Sequence, residues 1–424
     1  MPQESSAPEE GSLLTRQRKS GGKLYYGWII AICGALVLGV THGVVTNCFS
    51  LYIIPVSTEL GVTRDAFSIC TTIVNVLYAL VSFLSGYVYR RFRVEGTMKV
   101  ASITLPVGFF CYSFCRSLTG FYLCAVVVGI SVSFLTFLPF TLIISNWFEE
   151  KRGTALGICF MGSGLGGMLM NTLTAVLLDR YGWRASYRVI GVMMLVILIV
   201  MIWFVIRATP EQMGLQPLRK KESGTPAAEI SGMTVREALH TRTFYSLMGL
   251  ALIIGMNSMI MGNVVAPHLC DVGHSTMYSS LVVSVYLGCL AAAKILLGRL
   301  YDRIGAIRGT AVSMLGFIAG FLGLLLSRNR LAHILILTAA LGTAASNVSY
   351  PVTTLYAFGN RDYTTLYGYM MGINFVTSSI GVPLANRIYT VTGSYNPMLI
   401  VCMALSGIAL LLLPLIRPFR KADR

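Results

Sequence analysis

Charge is what this chain has least of. Asp, Glu, Lys and Arg make up 12% of its 424 residues, and only 17 residues are acidic. A soluble domain carries about 25%, so a water-soluble globular protein is excluded. All seventeen acids lie in polar segments or at the ends of apolar ones. No acid pair and no nucleophile–base set falls inside an apolar run, which argues against an enzyme. There are ten cysteines, but no Cys-x-x-Cys and no Cys/His ligand spacing; Cys111 and Cys115 stand one helical turn apart. Most of the ten sit in apolar runs and read as small core- or lipid-facing side chains, not as metal ligands or disulfides. The glycine-dense stretch holding Gly153, Gly157, Gly162, Gly164, Gly166 and Gly167 lacks the Gly-Lys-Ser/Thr of a phosphate loop, so it reads as a close helix-packing surface. No metal and no cofactor are expected.

What the chain does have is apolar length. It is 55% hydrophobic, with mean hydropathy +0.71. At about 20 residues per spanning helix, twelve runs fit: 26–47, 66–89, 97–115, 119–146, 153–178, 187–207, 243–266, 276–300, 308–327, 331–357, 365–389 and 396–417. The fold class expected is an all-α membrane protein of twelve transmembrane helices. Residues 208–242 are the one long polar stretch between runs and include Arg219, Lys220, Lys221, Ser223, Gly224 and Pro226. This reads as a linker. The organisation is then a tail at 1–23, a six-helix bundle at 24–207, the linker at 208–242, a second six-helix bundle at 243–417 and a tail at 418–424. Thr234-Val235-Arg236-Glu237 has capping-box spacing and predicts a short helix at the linker's end. The first 23 residues are polar and the first apolar run is too long for a signal h-region, so no cleavable signal is expected.

A net charge of +16 raises the question of nucleic acid. Its distribution answers it. With both termini inside, 24 of the 33 Lys/Arg fall on the cytoplasmic side and 8 outside, leaving Lys294. That is the positive-inside bias; it sets orientation in a plasma membrane and needs no nucleic-acid partner. The outside exceptions cluster at Arg180, Arg184 and Arg188. Lys294 stands inside the run 279–298. A cation there costs from roughly 3 to more than 10 kcal/mol at the bilayer centre. Such a residue points to an anion, and so to transport.

The two halves echo each other. Gly86-Tyr-Val-Tyr-Arg90 closes the second run, and Gly298-Arg-Leu-Tyr-Asp302-Arg303-Ile-Gly305, followed by Arg308, closes the eighth. The second copy resembles the loop motif Gly-x-x-x-Asp-Arg-x-Gly-x-x-Arg of the major facilitator superfamily. That resemblance implies two pseudo-symmetric six-helix bundles and a monomer. It also implies a gating role for Gly298, Asp302, Arg303, Gly305 and Arg308, and for Gly86 and Arg90. Arg90 stands where the motif has Asp, which removes the acid that would form a charge bridge on that side.

Finer features are similar to the oxalate–formate antiporter and monocarboxylate transporter branch. They are Tyr26-Gly27-Trp28; Ser50-Leu51-Tyr52 with Pro55-Val56; Trp147-Phe148 with Lys151-Arg152-Gly153; and Arg236-Glu237-Ala238-Leu239 with Thr241 and Phe244. In that branch a span-eight cation four residues before the motif glycine binds the substrate carboxylate, and Lys294 holds that place. The family residue is usually Arg; Lys keeps the charge and loses the bidentate fork. Two other roles stay open for Lys294, a structural contact and snorkelling to a helix end roughly 9 Å away. Leu290 replaces the acid that proton-linked carriers pair with the cation, Thr46 and Asn47 occupy the region of their span-one Lys, and Asn374 replaces a second cation of oxalate exchangers. One cation balances one carboxylate. The expected activity is therefore secondary transport of a small organic monoanion, a monocarboxylate, by exchange or facilitated movement. Thr46, Asn47, Phe137, Asn347 and Asn374 are candidate wall residues, each with a packing role as its alternative. His42 reads first as an interhelical hydrogen-bonder, with a ligand-facing donor and a pH sensor as its alternatives. A carrier of neutral or cationic solutes and a non-transporting sensor are the competing functions.

Overall fold

The computed structural model describes residues 25–218 and 231–419. The tails at 1–23 and 420–424, and the linker residues Arg219, Lys220, Lys221, Ser223, Gly224 and Pro226, lie outside the described residues. Helices make up nearly everything else. They are α1 (Tyr26–Val40), α2 (Phe49–Leu60), α3 (Arg64–Arg91), α4 (Val94–Cys111), α5 (Leu118–Ser133), α6 (Phe137–Trp147), α7 (Arg152–Ile199), α8 (Val235–Leu239), α9 (Arg242–Asp271), α10 (Thr276–Ile304), α11 (Ala306–Leu325), α12 (His333–Phe358), α13 (Tyr363–Thr392) and α14 (Asn396–Leu412).

Nine helical stretches among the described residues are long and apolar enough to cross a membrane. One of them, Arg152–Val205, turns at Gly182 (φ 75°, ψ 172°) and makes two passes. A left-handed φ there suits glycine. α4 and α13 are more polar and complete the twelve passes. The first pass ends at Asn47 as expected, through a π-helical turn (Gly43–Asn47) that leads into α2. Other boundaries differ from the apolar runs. The fourth pass is broken between Ser133 and Phe137 into α5 and α6. The polar segment between the fifth and sixth runs is helical on both sides of Gly182. Hydropathy registers neither the π-helical turn nor the break at Ser133–Phe137, because both keep apolar side chains.

Packing separates two halves. α1 and α4 lie against α7, and α3 and α4 against α5; α9 packs on α12 and α13, α10 on α12, and α11 on α12 and α14. The halves meet chiefly where α7 packs on α10 and α3 on α13. Glycine permits both kinds of seam, and α7 uses it twice. A Cβ on Gly162 would sit 1.9 Å from Ala35 O of α1, and one on Gly166 2.0 Å from Gly39 Cα. On the other face, a Cβ on Gly153 would lie 2.4 Å from Gly298 O, and one on Gly157 2.4 Å from Lys294 O, both in α10. The glycine-dense stretch is thus divided between a seam within the first half and a seam between halves.

The linker is anchored at both described ends. Leu218 N–H donates to Trp147 O, and its carbonyl accepts from Glu149 and Glu150 N–H, on the α6–α7 turn. Met233 N–H donates to Phe358 O, and Asn360 N–H to Ser231 O, on the α12–α13 turn. α8 follows with both halves of the expected capping box, Thr234 and Glu237.

Two of the three arginines that depart from the charge bias, Arg184 and Arg188, have local partners. Arg184 pairs with Glu59 beside the indole N–H of Trp183, which also donates to Glu59, and its guanidinium lies 4.1 Å over that indole. Arg188 Nε donates to Ser113 Oγ at 3.3 Å. The Arg184 guanidinium and the indole hold the Glu59 carboxyl below its ordinary 4.5. A depressed carboxylate contributes stability above the unfolded value and loses it as pH falls through the folded one. Acid titration of the thermal midpoint in detergent should show such a loss below about pH 4.5, and Arg184→Met should flatten it. Gly162→Val, an overpacking change, should lower stability by about 1–3 kcal/mol in the same assay. Gly407→Val, at a position with nothing within 4 Å of its Cβ, should not.

Candidate functional site

The π-helical turn widens the backbone where α1 ends, and such turns gather at functional sites. It carries Thr46 and Asn47, with His42 just before it. The break in the fourth pass places Phe137 at the first residue of α6, whose N-terminus has no side-chain cap. An uncapped helix start within the membrane is a positive dipole end. α7 brings Phe160 and Ser163, α10 brings Lys294, and α3 and α13 bring Tyr78 and Phe375.

Lys294 is 4% exposed. Its Nζ donates to Ser163 Oγ at 2.7 Å and to Phe160 O at 3.1 Å, both on α7 in the other half. Ser163 Oγ in turn donates to Phe160 O at 2.8 Å, and Asn47 Nδ2 donates to Ser163 O at 3.3 Å. The side chain therefore does not snorkel: its ammonium is held sideways, across the seam, by neutral acceptors. Those acceptors lower the cost of burial without cancelling the charge.

Three predicted residues gather around this point. His42 sits edge-on to Phe137, ring centroids 5.0 Å apart, and Phe137 packs against Phe160 at 5.2 Å. Phe137 is 2% exposed. His42 Nδ1 meets Thr46 Oγ1 at 3.5 Å, one turn along the same segment. The interhelical hydrogen bond expected of His42 is replaced by this local one, because the π-turn brings Thr46 over the ring. Two predicted residues are engaged elsewhere. Asn374 Oδ1 accepts from Tyr350 OH at 3.0 Å, and Asn347 Nδ2 donates to Ser346 Oγ at 3.2 Å; no contact among the described residues joins either to Lys294. Sequence reasoning missed Ser163, Phe160, Tyr78 and Phe375. Ser163 had a usable signal, since it interrupts the glycine pattern of α7; the aromatics had none among 20 Phe and 21 Tyr. No group of three or more His, Cys, Asp or Glu able to hold a metal ion occurs among the described residues.

The motif residues lie at the end of the bundle where α1 begins. Asp302 reaches across the seam to the start of α7. Its Oδ1 accepts from Gly153 N–H at 2.8 Å, and its Oδ2 accepts from Thr154 N–H at 2.8 Å and Thr154 Oγ1 at 2.6 Å. A carboxylate on a helix N-terminus is favoured by charge-assisted hydrogen bonds and by the dipole. Gly298 lets this happen, since a Cβ there would sit 2.1 Å from Gly153 O. Gly305 (φ 84°) turns the chain from α10 into α11. Arg303 and Arg308 are exposed and make no ion pair among the described residues.

The first-half copy corrects an expectation. Arg90 does form a charge bridge: its Nη2 lies 2.8 Å from Asp362 Oδ1, just before α13. The carboxylate missing from α3 is supplied by the partner helix. Asp362 Oδ2 also accepts from Val235 N–H at 2.9 Å, at the start of α8. Gly86 again allows contact, its Cβ position lying 1.9 Å from Thr365 Oγ1.

The sequence model described as Major Facilitator Superfamily matches residues 28–339 and 247–424. The chain belongs to that superfamily. Among curated relatives it is 22% identical over 396 residues to the uncharacterized MFS-type transporter YcxA of Bacillus subtilis, covering 86% of this chain and 88% of that one. It is 23% identical to mouse monocarboxylate transporter 12 over 39% of this chain, which spans 34% of that relative's length. Mouse monocarboxylate transporter 4 is 26% identical over 40% of this chain and 36% of its own. In fold it is similar to the proton:xylose symporter XylE, TM-score 0.69 at 14% identity over 93% of this chain and 96% of that one. It is also similar to FucP in its outward conformation, TM-score 0.69 at 11% identity over 93% and 100%. This superfamily member is a multi-pass secondary transporter of a small molecule and not an enzyme.

The two latches of the transporter differ in strength. Spin labels at Arg91→Cys and Arg361→Cys, in a background lacking the native cysteines, would report separation of the halves. Asp302→Ala removes three charge-assisted contacts and should raise the separated population by about tenfold or more. Arg90→Ala breaks a solvent-exposed pair worth about 0.2–1 kcal/mol and should raise it less than tenfold.

Proposed function

We propose that the protein carries a small organic monoanion, a monocarboxylate, across the plasma membrane by alternating access, as exchange or facilitated movement. The observation that carries this reading is Lys294, a buried cation on the seam between halves whose acceptors are neutral. The uncapped start of α6 beside His42 and Phe137 adds positive potential on the same side of the seam. The names of the monocarboxylate relatives agree in substrate class.

In this mechanism the basic end of the bundle, with both termini, faces the cytoplasm, and the conformation has its cytoplasmic gate shut by Asp302 and Arg90. A carboxylate arriving from the far side takes the Lys294 ammonium in place of Ser163 Oγ and Phe160 O. The bond tying α10 to α7 then becomes a bond to substrate. The glycine contacts Gly153–Gly298 and Gly157–Lys294 serve as the bearing on which the halves rock. The protein acts as a monomer. One buried cation with no acid among its hydrogen-bond partners favours a single negative charge and leaves proton symport without a carboxylate relay at that point.

A second reading is kept by one feature. The ammonium already has two neutral acceptors, so a carrier of neutral solutes with Lys294 as a cross-seam strut is consistent with the same bonds. Reconstituted vesicles separate the two. Labelled formate, L-lactate, benzoate, oxalate and a neutral sugar would be offered with and without a pH gradient. Monocarboxylate flux should dominate, and Lys294→Gln should abolish it while the protein still inserts. Normal monocarboxylate uptake by that variant would overturn the site; sugar flux surviving the change would favour the neutral-solute reading.

A further inference from the structure

Tyr78 is the buried group with the least explained chemistry near the seam. It lies in α3, is 1% exposed, and its hydroxyl has no hydrogen-bond partner among the described residues. A buried hydroxyl without a partner carries a desolvation penalty of about 1–3 kcal/mol. Its ring is fixed by contacts from both halves. It stacks on Phe375 of α13, centroids 4.7 Å apart and planes 12° apart, and it meets the His42 ring at 6.4 Å. Thr46 faces its hydroxyl, but Thr46 Oγ1 is also the group that meets His42 Nδ1. The phenol is thus held in place beside His42 and Phe375, with an O–H that makes no hydrogen bond among the described residues.

Lys294 has a complementary deficit. A carboxylate has two oxygens, and an ammonium addresses them as a point charge where a guanidinium would grip both. A second donor comes from elsewhere, since both partners of the Lys294 ammonium are acceptors on α7. We infer that the Tyr78 hydroxyl is that donor: the substrate carboxylate is shared between Lys294 Nζ and Tyr78 OH, one from each half. This rests on the monocarboxylate reading of Lys294. Both of the groups it joins move with different bundles, so the bound anion would bridge the seam once the Lys294–Ser163 bond is given up. The stack on Phe375 also places an aromatic face beside the site, so the ligand class is a monocarboxylate whose body tolerates an aromatic wall.

Tyr78→Phe is the test, because it deletes the hydroxyl and keeps the stack. Uptake of labelled L-lactate and benzoate into proteoliposomes would be measured for wild type, Tyr78→Phe and Lys294→Gln, with the thermal midpoint of each empty protein in detergent. The expected result is a KM raised by roughly 10- to 100-fold for whichever acid the wild type carries. The midpoint of the empty protein should be unchanged or higher, since an unpaired buried hydroxyl has been removed. Unchanged KM in Tyr78→Phe, with Lys294→Gln inactive, would overturn this inference alone. A fall in the empty protein's midpoint would also overturn it, by showing the hydroxyl to be structurally bonded. Normal uptake by Lys294→Gln, or no uptake of either acid by wild type, would overturn the monocarboxylate reading beneath it.

Discussion

A buried ammonium group ties the two halves together where α10 meets α7. Lys294 belongs to α10, yet both of its acceptors belong to α7. The seam on which it lies is built for close approach: Gly157 passes under the carbonyl of Lys294 itself. Bulk at that glycine would push the helices apart and pull the ammonium off Ser163, leaving a buried cation without a partner. The glycine spacing of α7 and the position of Lys294 are therefore one constraint. A charge in hydrocarbon is stable only while some acceptor stays within reach, so separation of the halves must be accompanied by a replacement. That requirement gives a physical reason for movement to wait on substrate.

The inner end is held by two unlike latches. In one, Asp302 caps the start of α7 with three hydrogen bonds; in the other, Arg90 pairs with Asp362 before α13. The pseudo-symmetry of the halves survives in the placement of these contacts and not in their chemistry. In each, a residue closing one helix meets the start of a helix from the other half, and a carboxylate is present. On one side the acid travels with the motif helix, and on the other it stays with the partner. A pairwise substitution can thus leave a motif unrecognisable in sequence while preserving the contact.

Much of the architecture was legible because the bilayer allows few solutions: apolar length forces helices, and the second motif copy marks the halves. The capping box before α8 and the role of Asp302 were readable because both depend on short-range spacing. The breaks at Gly43–Asn47 and Ser133–Phe137 were not, because they lie in segments whose hydropathy does not change across them. The site was half readable. Lys294 announced itself by its cost in an apolar run, and His42, Thr46, Asn47 and Phe137 followed from the first and fourth passes. Asn347 and Asn374 look equally suitable in sequence, but the one side-chain bond of each among the described residues runs to Ser346 or Tyr350 and not to Lys294. Arg90 was misjudged because its partner is 272 residues away, and spacing rules carry no information over that separation.

The anchored ends of the linker have a mechanical meaning. Leu218 is pinned to the turn that precedes α7, and residues 231–235 are pinned to the turn that precedes α13 and to Asp362. These are the two helices whose first turns carry the latches. The connector between the halves is thus fastened at its two ends to the two parts that must travel relative to each other. The span the connector must cover is set by the distance between those two turns.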